Sequence, residues 1–327
     1  MRAALAGVAL LALALAAALP YLTESTYVVA FLFSVFIAAI LAQSYDWVGG
    51  HMGYLNLGHA SFFGIGAYTL GILLQAGAPL VPALAAGVGV AALFAVLISY
   101  PFFRLRGAYF ALATFGLVAL LELLALNLSG LTGGSGGLTI PTGYRLYRAY
   151  YAALAVLACL VAGTAWLARS PLGLAMVSIR EDEEVAGAFG VNAFAVKCLV
   201  LAASGGAAGM AGGLYCWYLT YIIPGTVFGL DVAVGPIVMA MLGGSGTVAG
   251  PVLGALVVDV IREVLRLETQ YLALTIYGVM LVLVGLFLPG GLAAPDRWRR
   301  LSRRTRLGHG GAAEAGTSRG KGPAESG

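Results

Sequence analysis

Residues 169–192, RSPLGLAMVSIREDEEVAGAFGVN, are the one long charged interruption in a chain otherwise built from apolar blocks. A run containing Arg180, Glu181, Asp182, Glu183 and Glu184 must stand outside hydrocarbon, because ions placed there lose their water. The blocks on either side are long enough to cross a bilayer as helices. The chain is 61% hydrophobic and only 10% charged, with a mean hydropathy of +0.94. No soluble globular domain of this size has such a balance. The expected fold is therefore an all-α polytopic membrane protein. Within the interruption, Met176, Ile179, Ala186 and Phe189 recur at roughly helical spacing and Gly190 offers a stop, which predicts a surface helix over 175–189. Such a helix either only joins two spans or docks a soluble partner.

Taken in order, the chain opens with Arg2 and an apolar run over 3–19, which reads as a signal peptide or as an uncleaved first span with Arg2 inside. A second block over 27–41 ends in the polar cluster Gln43, Ser44, Asp46. The next stretch, VGGHMGYLNLGHASFFGIGAYTLGILL, carries glycine at a density that lets helix backbones approach closely. Its small pairs Ala60 and Gly64, and Ala67 and Gly71, have the four-residue spacing of packed membrane helices. His59, beside this glycine-rich turn, reads first as a hydrogen-bonded structural residue. Further spans are expected over 81–103 and 108–128, with Arg104 and Arg106 marking an inside loop. The second of these contains Glu122, an acid that either faces the bundle interior or snorkels to the interface.

Residues 127–143, NLSGLTGGSGGLTIPTG, are too polar to meet lipid. Spans follow over 150–167 and 195–221, the latter holding Gly205, Gly209 and Gly213 at the spacing of close helix packing. The apolar region 227–267 is broken at 242–251 by LGGSGTVAGP, which fits two short spans or a broken hairpin. Asp231 and Asp259, at its flanks, read as caps or surface charges. A last span is expected over 271–288. Ten crossings, or eight plus a re-entrant hairpin, keep both termini and the basic loops on the cytoplasmic side. Residues 1–292 would form the transmembrane domain and 293–327 a basic tail, disordered in composition. The sequence GGSG recurs at 133–136 and 243–246, an echo that would suit an inverted repeat.

The chemistry is sparse. No GxxxxGK[ST] phosphate loop exists, so the chain is not expected to hydrolyse nucleotide. Neither a paired-histidine zinc motif nor a metal-type cysteine spacing is present; Cys159, Cys198 and Cys216 read as small packing residues. The basic excess lies largely in DRWRRLSRRTR after the last apolar block, where it reads as an orientation signal and not as a nucleic-acid surface. One enzymatic alternative is an intramembrane serine hydrolase using Ser245 and His59.

Six blocks in order carry a family resemblance: GYLNLGHASFFGIGAYT at 53–69, LRGAYFALATFG at 105–116, LTGGSGGLTIP at 131–141, the charged loop, GPIVMAMLGGSGTVAGPVLGA at 235–255 and LVGLFLPGGL at 283–292. Together they resemble the permease subunits of bacterial ATP-binding-cassette importers for branched-chain amino acids, and within the usual pair the member with the longer cytoplasmic tail. The resemblance implies a multi-pass protein of the inner membrane, non-catalytic itself, working with cytoplasmic ATPase subunits that bind ATP and magnesium. It also implies a second homologous permease chain and a periplasmic substrate-binding protein. It likens the charged loop to a coupling helix seated on the ATPase, with Arg180, Glu181, Asp182, Glu183, Ala186 and Gly190 as contacts. Leu174 and Gly187 depart from the family's usual basic and acidic residues. Asn56, His59, Ser61, Glu122, Asn127, Thr132 and Ser135 are candidates for the pathway wall. Leucine, isoleucine and valine are the default substrates, with urea, short amides or other amino acids as alternatives. A self-contained ion-coupled transporter would need paired charges at mid-membrane, which only Glu122 approaches.

Overall fold

The computed structural model describes residues 2–268 apart from 24, 142 and 144, together with residue 279. The expected last span over 271–288, except for residue 279, and the basic tail lie outside the described residues. The helices are α1 (Arg2–Leu22), α2 (Thr26–Asp46, prolonged by a π-helical turn Trp47–His51), α3 (His59–Gln75), α4 (Leu80–Phe102) and α5 (Ala108–Asn127). After a one-turn α6 (Ser129–Thr132) come α7 (Leu146–Leu167), α8 (Pro171–Glu181), α9 (Glu183–Ala188) and α10 (Ala193–Leu219). A one-turn α11 (Pro224–Val227), α12 (Leu230–Gly243) and α13 (Gly250–Glu268) complete the described chain. The only strands among the described residues, β1 (Leu138–Thr139) and β2 (Tyr221–Ile222), pair antiparallel.

Among the described residues six helical segments are long and apolar enough to cross a membrane: Thr26–His51, Leu80–Phe102, Ala108–Asn127, Leu146–Leu167, Ala193–Leu219 and Pro224–Gly243. Helix α3 has 17 residues, which at about 1.5 Å per residue is slightly short of a full span. α13 carries Asp259, Arg262, Glu263, Arg266 and Glu268 along its length.

Contacts sort the helix ends into two groups. Glu183, Tyr54, Phe103 and Lys197 meet at one end, where Gly246 also bonds to Asp46. At the other end Gln75 bonds to the Thr139 carbonyl, Tyr221 to that of Gly136, and Arg262 to Asp231. Successive long helices therefore run in alternating directions, and the two GGSG turns lie at opposite ends.

The centre is α3, α4 and α10, and small residues explain why these three can pack so closely. Ala83, Gly87, Ala91, Ala95 and Ser99, each four residues after the last, are the buried residues of α4. Against this stripe lies the glycine face of α10. A β-carbon on Gly209 would stand 2.6 Å from that of Ala91, and one on Gly205 would stand 3.1 Å from that of Ala95. On its other side α10 meets α3 backbone to backbone: a β-carbon on Gly66 would fall 2.1 Å from the Gly209 carbonyl oxygen, and one on Gly212 would fall 1.9 Å from that of Phe63. In a bilayer, where lipid is as apolar as leucine, such close approach is the main source of helix association.

Three sequence expectations are corrected. The second apolar block does not end at its polar cluster; α2 runs on through Gln43, Ser44 and Asp46, all fully buried, because each finds a partner inside the bundle. The helix expected over 175–189 starts earlier, at Pro171, and is two helices broken at Asp182. Asp259 is neither a cap nor a surface charge: it lies in mid-α13 and is only 4% exposed. Asp231, by contrast, sits in the first turn of α12 and is part exposed in an ion pair with Arg262.

Candidate functional site

The charged loop is built by a succession of local caps. Ser170 accepts a hydrogen bond from the Gly173 amide at 3.2 Å, and Pro171 occupies the first helical position, where its missing N–H costs nothing. Helix α8 then buries Gly173, Met176 and Ile179, one face at three-residue spacing. It stops at Asp182, whose backbone is extended and whose Oδ1 accepts from the amides of Glu184 and Val185 at 2.9 and 3.0 Å. Asp182 is thus the N-cap of α9, with Glu183 and Glu184 in the first turn. Gly190, at φ +88°, turns the chain out of α9, and Asn192 caps α10 by accepting from the Ala195 amide at 3.1 Å.

Two ties join this loop to the bundle. In the first, Glu183 Oε1 accepts from Lys197 Nζ at 2.5 Å while its Oε2 accepts from the Tyr54 hydroxyl at 2.9 Å. Lys197 is almost fully buried in the first turns of α10, its ammonium 4.9 Å from the Tyr54 ring centre and 5.6 Å from that of Phe103. Burial pushes the Glu183 carboxyl up, but the bonds from Lys197 and Tyr54 and the charges of Lys197 and Arg106 outweigh it and hold the group below its ordinary value. Burial and the bond to Glu183 push the Tyr54 phenol up. The Arg106 to Glu184 pair, 3.8 Å apart and exposed on both sides, adds little.

The second tie runs through Arg180, whose guanidinium donates to the Gly50 carbonyl in the π-helical turn. That turn is itself fastened to the loop between α12 and α13. The Gly246 amide donates to both oxygens of the fully buried Asp46, at 2.8 and 3.1 Å, and His51 Nδ1 lies 3.1 Å from the same carboxylate. Gly246 has φ +75°, and a β-carbon on Gly50 would stand 1.8 Å from Asp46 Oδ1. A side chain at Gly50 would collide with Asp46, and one at Gly246 would be strained. A cleft of about 760 Å³ opens between the loop and the bundle, walled by Met52, Tyr54, Arg106, Arg180 and Glu183. The arrangement fastens α8 and α9 to α10 on one side and, through the π-helical turn, to the α12–α13 turn on the other.

A family model described as "Branched-chain amino acid transport system / permease component" matches residues 27–285. The chain belongs to that family. The permease is 29% identical over 324 residues to the "High-affinity branched-chain amino acid transport system permease protein LivM" of Escherichia coli K12, a match covering 87% of this chain and 74% of the relative. It is 28% identical over 295 residues to the protein of the same name in Salmonella typhimurium, covering 80% and 68%. A shorter match, 27% over 139 residues, links it to the "Probable branched-chain amino acid transport permease protein LivM" of Methanocaldococcus jannaschii and spans 38% of this chain and 40% of that one. No solved structure matches.

The sequence-selected residues do not all fall together in this permease. Of the loop residues, Arg180, Glu181, Asp182 and Gly190 are exposed, Glu183 points inward to Lys197, and Ala186 is buried. Apolar side chains fill the outer surface instead: Leu174 is 70% exposed, Val185 51% and Phe189 84%. The pathway candidates split between the two ends. Asn56, His59 and Ser61 are buried near the charged end, Asn56 accepting from the Gly58 amide and His59 Nε2 lying 2.8 Å from the Ser44 hydroxyl. Thr132 and Ser135 sit in the opposite turn, where the buried Thr132 hydroxyl lies 2.5 Å from the Ala125 carbonyl and Ser135 is exposed. Asn127 bonds back to the Leu123 carbonyl, and Glu122 is half-buried beside Gly225 of α11. Gly205, Gly209 and Gly213 lie along α10 against α4. Ser245 is exposed in its turn while His59 is sealed against Ser44, so the hydrolase arrangement lacks the reach that a nucleophile and base need. Among the described residues no group of three or more His, Cys, Asp or Glu could hold a metal ion. Lys197 and Tyr54 escape sequence reading, and Asp46 enters it only as the end of a polar cluster; a lysine inside an apolar block was the available signal for the first.

Proposed function

We propose that this permease is the membrane subunit of an ATP-driven importer that carries branched-chain amino acids across the bacterial inner membrane, and that α8 and α9 transmit the ATPase stroke to the spans. The observation that carries the reading is the double tie: one exposed two-helix loop is fastened to α10 through Glu183 and Lys197, and to the α12–α13 turn through Arg180 and Asp46. A push on the loop would therefore move both parts of the bundle. Leu174, Val185 and Phe189 form the apolar surface that an ATPase groove would cover, rimmed by Glu181 and Glu184. Both chain termini and the loop would face the cytoplasm, with ten crossings, or eight plus a re-entrant hairpin. ATP and magnesium would bind on separate cytoplasmic ATPase subunits, a second permease chain would complete the pathway, and a periplasmic binding protein would deliver leucine, isoleucine or valine.

The test is uptake of radiolabelled leucine into proteoliposomes holding the permease with its ATPases, second permease and binding protein, with and without internal ATP. Uptake is expected to require ATP and to fall at least tenfold in Phe189→Ala, with no change in thermal stability because that ring is exposed. Leucine uptake that proceeds without ATP would overturn the reading.

A further inference from the structure

Helices α2, α3, α10, α12 and α13 border a second cavity, of about 470 Å³ and partly open, in the half of the bundle away from the charged loop. Its deep wall is apolar, formed by Ile37, Leu41, Phe63 and Met239, while Asp231, Asp259, Arg262 and Glu263 gather at the other side. Among the described residues three acids and one base line that side, a balance attractive to a cation. Asp259 is the decisive residue. It is 4% exposed, lines the cavity, and among the described residues neither carboxylate oxygen accepts a hydrogen bond; Arg262 stands 3.8 Å away and also donates to Asp231 at 3.1 Å. A buried carboxylate without hydrogen bonds is costly unless a ligand supplies the donors.

Resting on the importer reading and deepening it, we infer that this cavity is a binding site for a primary ammonium group carrying a short apolar chain, with the ammonium on Asp259 and the chain against Ile37 and Met239. An ammonium brings three donors to a group that has two unfilled oxygens, and the volume suits an amino acid of leucine's size. The ammonium, though not the short apolar chain, is also offered by the headgroup of phosphatidylethanolamine.

The experiment uses the full chain in phosphatidylcholine nanodiscs, without the binding protein, and measures competition against radiolabelled leucine. Leucine and 3-methylbutylamine, which keeps the ammonium, are expected to bind, and 4-methylpentanoate, which lacks it, to fail. Asp259→Asn should weaken leucine and amine binding at least tenfold. Ala38→Leu, which narrows the cavity from α2 without touching a charge, should weaken both as well and serves if Asp259→Asn misfolds. Preparing the protein with phosphatidylethanolamine separates the sources: lipid retained by wild type and lost from Asp259→Asn in native mass spectrometry, with no leucine binding, assigns the site to the headgroup. Equal binding of 4-methylpentanoate and leucine, unchanged affinity in both variants, or neither leucine nor lipid bound, overturns the inference. Those outcomes leave ATP-dependent uptake by the whole assembly untouched, so this failure is distinguishable from failure of the importer reading.

Discussion

Glu183 holds its position by two bonds that oppose its burial, and this sets how the loop responds to mutation and to acid. Lys197→Met leaves the Glu183 carboxylate facing a desolvated methionine and should lower stability by about 2–3 kcal/mol, measured as a fall in thermal midpoint in detergent. Glu183→Gln combined with Lys197→Met removes both charges and should recover part of the loss, since a matched neutral pair lacks an orphaned ion. For acid the sign is fixed by the lowered carboxyl. A carboxyl below its ordinary value in the folded chain stabilises the fold at any pH above the unfolded-state value, and the contribution is lost as pH falls through the folded value. Stability measured from pH 7 to pH 3 should therefore drop below about pH 4.5, and the drop should be shallower in Glu183→Gln. Tyr54→Phe keeps the aromatic wall and deletes one donor, so the folded-state carboxyl should rise toward its ordinary value, and the acid-dependent loss of stability should be smaller than in wild type and complete at a higher pH.

Among the helices, the close packing of α3 and α10 was legible from small-residue spacing, but the small-residue stripe of α4 was not read, and neither was which glycines bear the tightest contacts. Gly205, Gly209 and Gly213 stand out in the sequence as a four-residue repeat. Gly66 and Gly212 do not, yet each meets a backbone carbonyl where a β-carbon has no room, and a backbone cannot swing aside as a side chain can. Gly66→Ala should therefore cost about 1–3 kcal/mol or more by overpacking, whereas Gly213→Ala, which meets the end of the flexible Leu84 side chain, should cost less. Gly116 in α5 has nothing within 4 Å of its β position, and Gly116→Ala should leave the unfolding midpoint unchanged or slightly raised. A Gly66→Ala protein as stable as Gly116→Ala would mean that α3 and α10 stand farther apart than described. The break in the charged loop was hidden for a different reason. Apolar spacing runs evenly across Asp182, and only the two amides it accepts show that it ends one helix and begins another. Lys197 was hidden by the same habit of reading blocks by mean hydropathy, in which one cation among apolar neighbours disappears.

Across the whole molecule, the two ties have separate tasks, and cutting one should produce a different failure from cutting the other. The tie through Lys197 fixes the loop to α10, which is packed by glycine contacts into the rigid centre with α3 and α4. The tie through Arg180 reaches the π-helical turn and, by way of Asp46 and Gly246, the turn joining α12 to α13, the helices that wall the second cavity. In the importer reading, loss of the first loosens the lever itself, while loss of the second leaves a seated lever with nothing to move. Arg180→Met, which keeps the aliphatic stem that packs beside Gly53 but removes the donor to Gly50, should preserve assembly with the ATPases and their ATP hydrolysis while leucine uptake falls at least fivefold. Lys197→Met should reduce hydrolysis and uptake together. Both rates, measured on the same proteoliposomes, separate the two cases: unchanged uptake in Arg180→Met would show that the loop acts through α10 alone and that the Asp46 link to the α12–α13 turn carries no motion, and parallel losses would show that Arg180 seats the lever as Lys197 does.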